Sequence, residues 1–175
     1  MNQTILIAGV GNIFLGDDAF GVGAVRALAT RPFPAGVSVV DYGIRGFDLA
    51  YALLDAWDAV IILDALPRGG SPGTLYTLQP DLDSMRAPQV EGVAINPHGM
   101  DPVQVLQLAF SMGTVSADVY VIGCEPEDFG DELVGRMGLS ATVQASIEEA
   151  VEMVENLVGR IHSATGVGGV QCTTR

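Results

Sequence analysis

An α/β fold is predicted for this chain: a doubly wound, mostly parallel twisted sheet with helices on both faces, in three α/β/α layers. Apolar runs of strand length alternate with segments of helical periodicity from the first residues onward. This alternation is typical of a parallel sheet whose strands are joined by crossover helices. The run at 59–63 is apolar throughout, which indicates a strand that is covered on both faces.

The predicted strands are short apolar runs bounded by turn-forming or acidic residues. They lie at 4–8, 37–40, 59–63, 74–78 and 118–123. The first ends at Gly9, the second at Asp41 and the third at Asp64. The run at 74–78 mixes β-branched and aromatic residues, so we expect an edge strand there.

The predicted helices follow from apolar residues that recur every three or four positions. A first helix carries Val22, Val25 and Leu28, and others are expected at 47–56 and 102–112. In the last helix the apolar side chains are Val143, Ile147, Val151, Val154, Val158 and Ile161, with glutamates on the opposite face. Ser140 can cap this helix.

One domain accounts for the whole chain of 175 residues, of which 49% are hydrophobic. We expect a single α/β domain at 1–162 and a flexible C-terminal tail at 163–175, where periodicity is lost. The longest apolar run is interrupted at Asp64, so no membrane insertion is expected.

Charge and cysteine content restrict the partners and the compartment. A net charge of −13 argues against nucleic acid and anionic membranes, and it favours a neutral or basic polypeptide. Cys124 and Cys172 are the only cysteines, which is too few for a disulfide framework. A reducing, cytoplasmic location is therefore expected.

Two acids follow strands that could be neighbours. In doubly wound sheets, ligands bind outside the carboxyl ends of the strands, where the strand order reverses. Asp18 follows the first strand and Asp64 ends the third, so both lie on that edge if the two strands are adjacent. Asp64 follows five apolar residues, and an ionised carboxylate there needs partners or its pKa rises.

Each of these residues also has an ordinary interpretation. Asp17 and Asp18 could serve only to complement a helix dipole, and Asp64 could cap the loop that follows it. His98 lies in a polar loop with glycine and proline, where a histidine is more often a surface residue than a ligand. Cys124 could pair with His98 as a thiol nucleophile, but a small buried thiol is the commoner role.

The turn at Gly9 and Gly11 offers a competing hypothesis, that of a nucleotide- or flavin-binding module. A dinucleotide-binding turn places a third glycine where this chain has Phe14. Asp17 and Asp18 would also repel a pyrophosphate at the helix N-terminus, which otherwise attracts anions.

Six motifs, taken in order, resemble those of the nickel–iron hydrogenase maturation endopeptidases. They are GVGNIFLGDDAFGVGAVRAL, GIRGFDLAYAL, AVIILDAL, NPHGMDP, VIGCEPEDF and GLSATVQASIEEAVE. The resemblance covers residues 4–160, and the combination of motifs is specific where Gly-x-Gly-Asn alone is weak.

The resemblance implies an endopeptidase that removes a C-terminal extension from the nickel-loaded precursor of the hydrogenase large subunit. It implies catalytic and metal-binding roles for Asp18, Asp64 and His98. It further implies that nickel is presented by the substrate rather than bound permanently. Glycine-rich residues 43–46 are expected to line the same cleft, because glycine permits close backbone approach.

This chain departs from the family pattern at two positions. The first metal-binding acid, often glutamate in the family, is Asp18 here, and the preceding Asp17 is a second candidate for that role. The histidine loop reads HGMD, where many members have glutamine after the histidine. A chaperone that binds the precursor without cutting it is the alternative function.

Overall fold

The structure is a computed structural model that describes residues 3–86, 101–131 and 133–164. The strands are β1 (Ile5–Val10), β2 (Val37–Gly43), β3 (Ala59–Ala65), β4 (Leu75–Leu78) and β5 (Asp118–Cys124). The helices are α1 (Phe20–Leu28), α2 (Gly46–Ala52), α3 (Leu82–Met85), α4 (Pro102–Met112) and α5 (Ala141–Ala164), and a 3₁₀ helix precedes α1 at Gly16–Ala19.

The predicted fold class is confirmed. The strands form one sheet in the order β2-β1-β3-β5-β4, in which β1, β2, β3 and β5 are mutually parallel and β4 pairs antiparallel with β5. The run predicted as an edge strand is the sheet's antiparallel edge. The chain moves outward from β1 to β2 and then returns to the other side of β1 with β3, so the strand order reverses between β1 and β3.

Helices cover both faces of the sheet, which produces two separate cores. On one face α1 and α5 pack against residues such as Ile7 and Ile61, and on the other α2 and α4 pack against Ala8 and Ile62. Successive strand residues point to opposite faces. A strand buried on both sides must therefore be apolar at every position, as β3 is up to Leu63.

The last helix is anchored as its sequence predicts. Ser140 Oγ accepts a hydrogen bond from the N–H of Val143 at 3.3 Å, which caps the first turn. Five of the six side chains in its apolar stripe are buried, namely Val143, Ile147, Val151, Val154 and Val158. Full burial of such a side chain contributes roughly 1.5–3 kcal/mol. The helix continues to Ala164, two residues past the predicted domain boundary, and 165–175 lie outside the described residues.

One helix boundary was wrong. The helix expected at 47–56 ends at Ala52. The indole N–H of Trp57 donates to the carbonyl of Ala52 at 3.0 Å, so a side chain satisfies an acceptor at the helix end.

None of the described helices is long and apolar enough to cross a membrane.

Candidate functional site

A cleft opens at the carboxyl edge of the sheet, where the strand order reverses between β1 and β3. Its volume is about 190 Å³. The described residues that line it are Val10, Gly11, Asn12, Asp18, Gly43, Ile44, Gly46, Asp64, Ala65, Pro67, Asp101 and Phe129. The structure therefore brings Asp18 and Asp64 together, and it places three of the four residues in the glycine-rich segment 43–46 beside them.

Asp64 sits at the end of β3 and is only 6% exposed. From the described residues, its carboxylate receives one hydrogen bond, from the N–H of Ala65 at 2.9 Å. Burial, followed by the nearby charge of Asp18, raises the pKa of Asp64 well above its ordinary value of 3.8. A buried carboxylate with so few donors is costly to keep ionised, unless a cation or a further donor joins it.

Asp18 lies in the 3₁₀ helix that follows β1 and is half-buried at the same cleft. Its carboxylate accepts a hydrogen bond from the N–H of Asn12 at 2.6 Å. Burial outweighs this bond and raises the pKa of Asp18 above its ordinary value. Both carboxylates thus face the cleft with acceptor capacity that the described residues do not use.

Asp17, the other candidate for the first acid, is not among the residues that line the cleft. Its carboxylate is fully buried and accepts hydrogen bonds from the N–H groups of Ser140, Glu127 and Asp128, at 2.6, 2.9 and 3.1 Å. Burial acts to raise the pKa of Asp17, but these bonds outweigh it and the pKa is lowered. Asp17 therefore ties the segment after β5 to the start of α5.

Close packing accounts for the glycines of the first loop. A Cβ on Gly11 would lie 1.8 Å from the carbonyl oxygen of Asp18. A Cβ on Gly9 would lie 2.3 Å from the carbonyl oxygen of Gly21 in α1. Backbone, not a bound phosphate, occupies the space that these glycines leave open, and this removes the main support for a nucleotide-binding turn.

Two cleft residues were missed by sequence reasoning. Asp101 lines the cleft while its side chain caps α4 by accepting the N–H of Gln104 at 2.8 Å. Its position directly before a helix that begins with proline indicates a helix cap. Nothing in that pattern indicates that Asp101 also lines the cleft. Phe129 belongs to a loop with no periodicity, so nothing in the sequence pattern marks it as a cleft residue.

Cys124 is a buried thiol and is absent from the cleft lining. Its Sγ lies 3.3 Å from Ser146 Oγ, on the face of the sheet that α5 covers. Burial raises the pKa of this thiol, so it is protonated at neutral pH. The structure favours the ordinary interpretation of Cys124 over a nucleophilic one.

His98 lies outside the described residues, so its predicted place at the site is a sequence expectation. Within the described ranges, no group of three histidine, cysteine or acidic residues is arranged to hold a metal ion. Asp18 and Asp64 supply two oxygen-donor groups with spare acceptor capacity, which suits part of a site for a divalent cation. A metal site built on this pair would need a third ligand from outside it.

The sequence matches the family model described as "Hydrogenase maturation protease" over residues 22–157. The chain is 34% identical over 152 residues to the hydrogenase 2 maturation protease of Escherichia coli, an alignment covering 86% of this chain and 87% of that protein. It is 33% identical over 153 residues to the hydrogenase expression/formation protein HupD of Rhodobacter capsulatus, covering 85% of this chain and 70% of that one.

The fold is also similar to solved structures. The hydrogenase maturating endopeptidase HybD from Escherichia coli superposes with a TM-score of 0.68 at 29% identity, covering 90% of this chain and 93% of that chain.

Proposed function

Because this chain belongs to the hydrogenase maturation protease family, a family of peptidases, we propose that it removes the C-terminal extension of a hydrogenase large-subunit precursor once nickel has been inserted. The precursor is its partner, and nickel arrives with that partner rather than as a resident cofactor. The location proposed for the reaction is the cytoplasm, in keeping with the sparse use of cysteine.

The observation that carries this proposal is the pair of carboxylates at the strand-order reversal. Asp18, in the 3₁₀ helix after β1, and Asp64, near the end of β3, face one cleft, and the described residues leave both short of hydrogen-bond donors. A divalent cation carried on a precursor would supply the missing positive charge. The cation's charge would also lower the pKa of both groups and keep them ionised.

The third ligand of the proposed site is His98. It lies three residues before Asp101, which lines the cleft. Covalent geometry alone keeps the two Cα atoms within about 11 Å of each other. Two carboxylates and one imidazole make a borderline ligand set without thiolate, so its intrinsic preference for nickel is modest. Three ligands leave coordination positions for groups of the precursor that already hold the metal.

Binding the precursor through its metal would fix the scissile bond beside Asp18 and Asp64. Holding a bond in one orientation next to a catalytic group accounts for a large part of peptidase rate enhancement. Hydrolysis adds water across the C–N bond, so a proton must leave the water and reach the departing amine. A carboxylate that stays ionised beside the bond can accept the proton that leaves the water, which gives the same residues a catalytic role.

The experiment is to incubate the purified protein with nickel-loaded and with nickel-free precursor and to measure the precursor's mass. Shortening only of the nickel-loaded form is expected. Equal shortening of both forms would contradict the role of nickel. An unchanged mass with a stable complex would indicate the chaperone alternative.

The two histidines provide a matched pair of variants. His98→Ala is expected to abolish processing, because it removes a proposed ligand. His162→Ala is expected to leave processing unchanged, because His162 lies on the last turn of α5, where its Nδ1 is 2.9 Å from the carbonyl oxygen of Val158. If both variants process the precursor at the wild-type rate, His98 is not part of the site.

A further inference from the structure

The exposed apolar side chains of this protein are concentrated at one end of the molecule. Among the described residues, nine large hydrophobic side chains are exposed: Phe14, Ile44, Phe47, Tyr51, Val103, Phe129, Leu133, Val134 and Met137. Eight of them lie at the carboxyl edge of the sheet, either in loops that follow the parallel strands or in the first turns of helices. The ninth, Tyr51, lies at the end of α2. A one-sided distribution of this kind marks an interaction surface.

Five of these side chains form what we call the apolar platform: Phe14, Phe129, Leu133, Val134 and Met137. Three of them are among the most exposed, with Leu133 at 97%, Val134 at 84% and Met137 at 73%. Leu133, Val134 and Met137 contribute little to either core, because most of their surface faces solvent. Their apolar character therefore needs an explanation other than folding.

The backbone that carries the platform is held in place. The loop after β1 and the segment 127–137 are joined by hydrogen bonds from the N–H of Arg136 to the carbonyl of Phe14 and from the N–H of Gly16 to the carbonyl of Arg136, both at 2.8 Å. The Asp17 carboxylate holds the start of the segment through the N–H groups of Glu127 and Asp128. A surface ordered in advance binds with a smaller entropic cost than a mobile one.

The platform is continuous with the cleft. Phe129 lines the cleft together with Asp18 and Asp64. Leu133, Val134 and Met137 follow Phe129 in the same segment of the chain, and backbone hydrogen bonds join Phe14 to that segment at Arg136. A polypeptide that delivered a metal ion to the two carboxylates would therefore meet the platform next.

Charge distinguishes the possible occupants. Glu127 and Asp131 are exposed beside the platform, and the one exposed base among the described residues of that segment, Arg136, is paired with Asp128 at 2.7 Å. The whole chain carries a net charge of −13. A second copy of this chain would bring the same acidic groups to the contact and be repelled, whereas a neutral or basic segment would not. The metal ion of a precursor would further favour its approach to the carboxylate pair.

We propose that the apolar platform is the docking surface for the metal-carrying precursor, and that it binds a segment of that polypeptide with apolar side chains and neutral or basic charge. This inference rests on the proposed function, since the precursor is its occupant. The platform would set the affinity for the precursor, while the cleft residues perform the reaction.

The test is the double variant Val134→Ser/Met137→Ser. Both side chains are largely exposed, so the fold and Tm are expected to remain as in the wild type. The KM for nickel-loaded precursor is expected to rise about tenfold, with kcat within about twofold of the wild type, because a docking contact contributes to affinity and not to the chemical step. Leu133→Ser provides an independent second variant.

The matched control is Asn156→Ser, an exposed, uncharged position on α5. It is expected to change neither KM nor kcat. The proposal is overturned if KM for the double variant equals that of the wild type. It is overturned equally if the double variant changes Tm or the oligomeric state, since the platform would then be covered by this chain or by a second copy.

Failure of the proposed function gives a different result. In that case the wild type leaves the precursor's mass unchanged, and docking is measured by titrating a fluorescently labelled nickel-loaded precursor. A Kd that is about tenfold higher for the double variant would support the docking surface, even though the protein does not cleave the precursor. An equal Kd for the two proteins overturns the docking surface.

Discussion

Two buried aspartates at the same edge of the sheet, Asp17 and Asp64, occupy opposite environments. Asp17 is surrounded by three backbone N–H donors and its pKa is lowered, whereas Asp64 receives one donor from the described residues and its pKa is raised. Both side chains are buried, so burial does not separate them. The number of donors and the charge of Asp18 beside Asp64 do, because an ionised carboxylate is stable inside a protein only when its acceptors are used and no like charge is close.

Asp17 therefore belongs to the structure of the protein and Asp64 to its proposed chemistry. Glu125 shows the same pattern as Asp17. Its carboxylate accepts the N–H groups of Arg68 and Gly69 and the hydroxyl of Tyr76, all within 3.0 Å. It organises the loop between β3 and β4, and its side chain does not line the cleft.

The largest expected effect is on processing by Asp64→Asn. Replacing a proposed metal-binding carboxylate by an amide should lower the rate of precursor cleavage on the order of 100-fold or more, because changes even to residues around a metal ligand cost 10–100-fold. The Tm should stay the same or rise, since a poorly satisfied buried charge is removed. Mass spectrometry of the precursor and thermal unfolding measure the two effects.

Asp41→Asn is the matched control for that variant, since Asp41 also lies near the carboxyl end of a strand but outside the cleft lining. It should leave processing unchanged. A variant Asp64→Asn that cleaves normally but is less stable would make Asp64 equivalent to Asp17, and the contrast between the two residues would be lost.

The next largest effect is on stability, in Asp17→Asn. The amide turns an N–H donor toward backbone donors, so at least one buried N–H loses its acceptor, at a cost of about 2–3 kcal/mol. For a domain of this size that corresponds to a Tm lower by roughly 5–10 °C. Asp18→Asn, one residue along, should change Tm by much less, because a single N–H among the described residues, against three for Asp17, donates to its carboxylate. Equal losses in the two variants would contradict the assignment of Asp17 as structural.

The smallest expected effect is in the pH dependence of stability, measured by urea unfolding of metal-free protein. The pKa of Asp17 is below its ordinary value of 3.8, so its contribution is complete above pH 3.8 and is lost as the pH falls below it. The pKa of Asp64 is above 3.8, so ionising it destabilises the protein as the pH rises from 3.8 through its folded pKa.

The free energy of unfolding for Asp64→Asn minus that of the wild type should therefore decrease as the pH is lowered from neutral towards 3.8. For Asp17→Asn, the loss relative to wild type should stay constant down to about pH 4 and diminish below 3.8. Parallel profiles for the two variants would show that their environments do not differ in the way described.

Much of the fold was predictable because its signals are local. The apolar runs and the three- and four-residue periodicity place all five strands and the long last helix, since each depends on side chains that are near one another in sequence. The end of α2 was not predictable in this way, because apolar residues continue past Ala52, where the helix ends and the indole N–H of Trp57 bonds to the carbonyl. The pairing of Asp18 with Asp64 needed one further assumption, that β1 and β3 are neighbours, and the sheet confirms it.

From the sequence by itself, the layered α/β fold could be predicted. The glycines of the first loop and the aspartates that follow the strands could be singled out as candidate site residues. The tertiary structure alone decided that Asp18, and not Asp17, faces the cleft. The donors to Asp17 come from Glu127, Asp128 and Ser140, which are 110, 111 and 123 residues away in the chain. Adjacent aspartates look alike in a sequence, and their chemistry diverges because folding brings distant backbone N–H groups to one of them and not to the other.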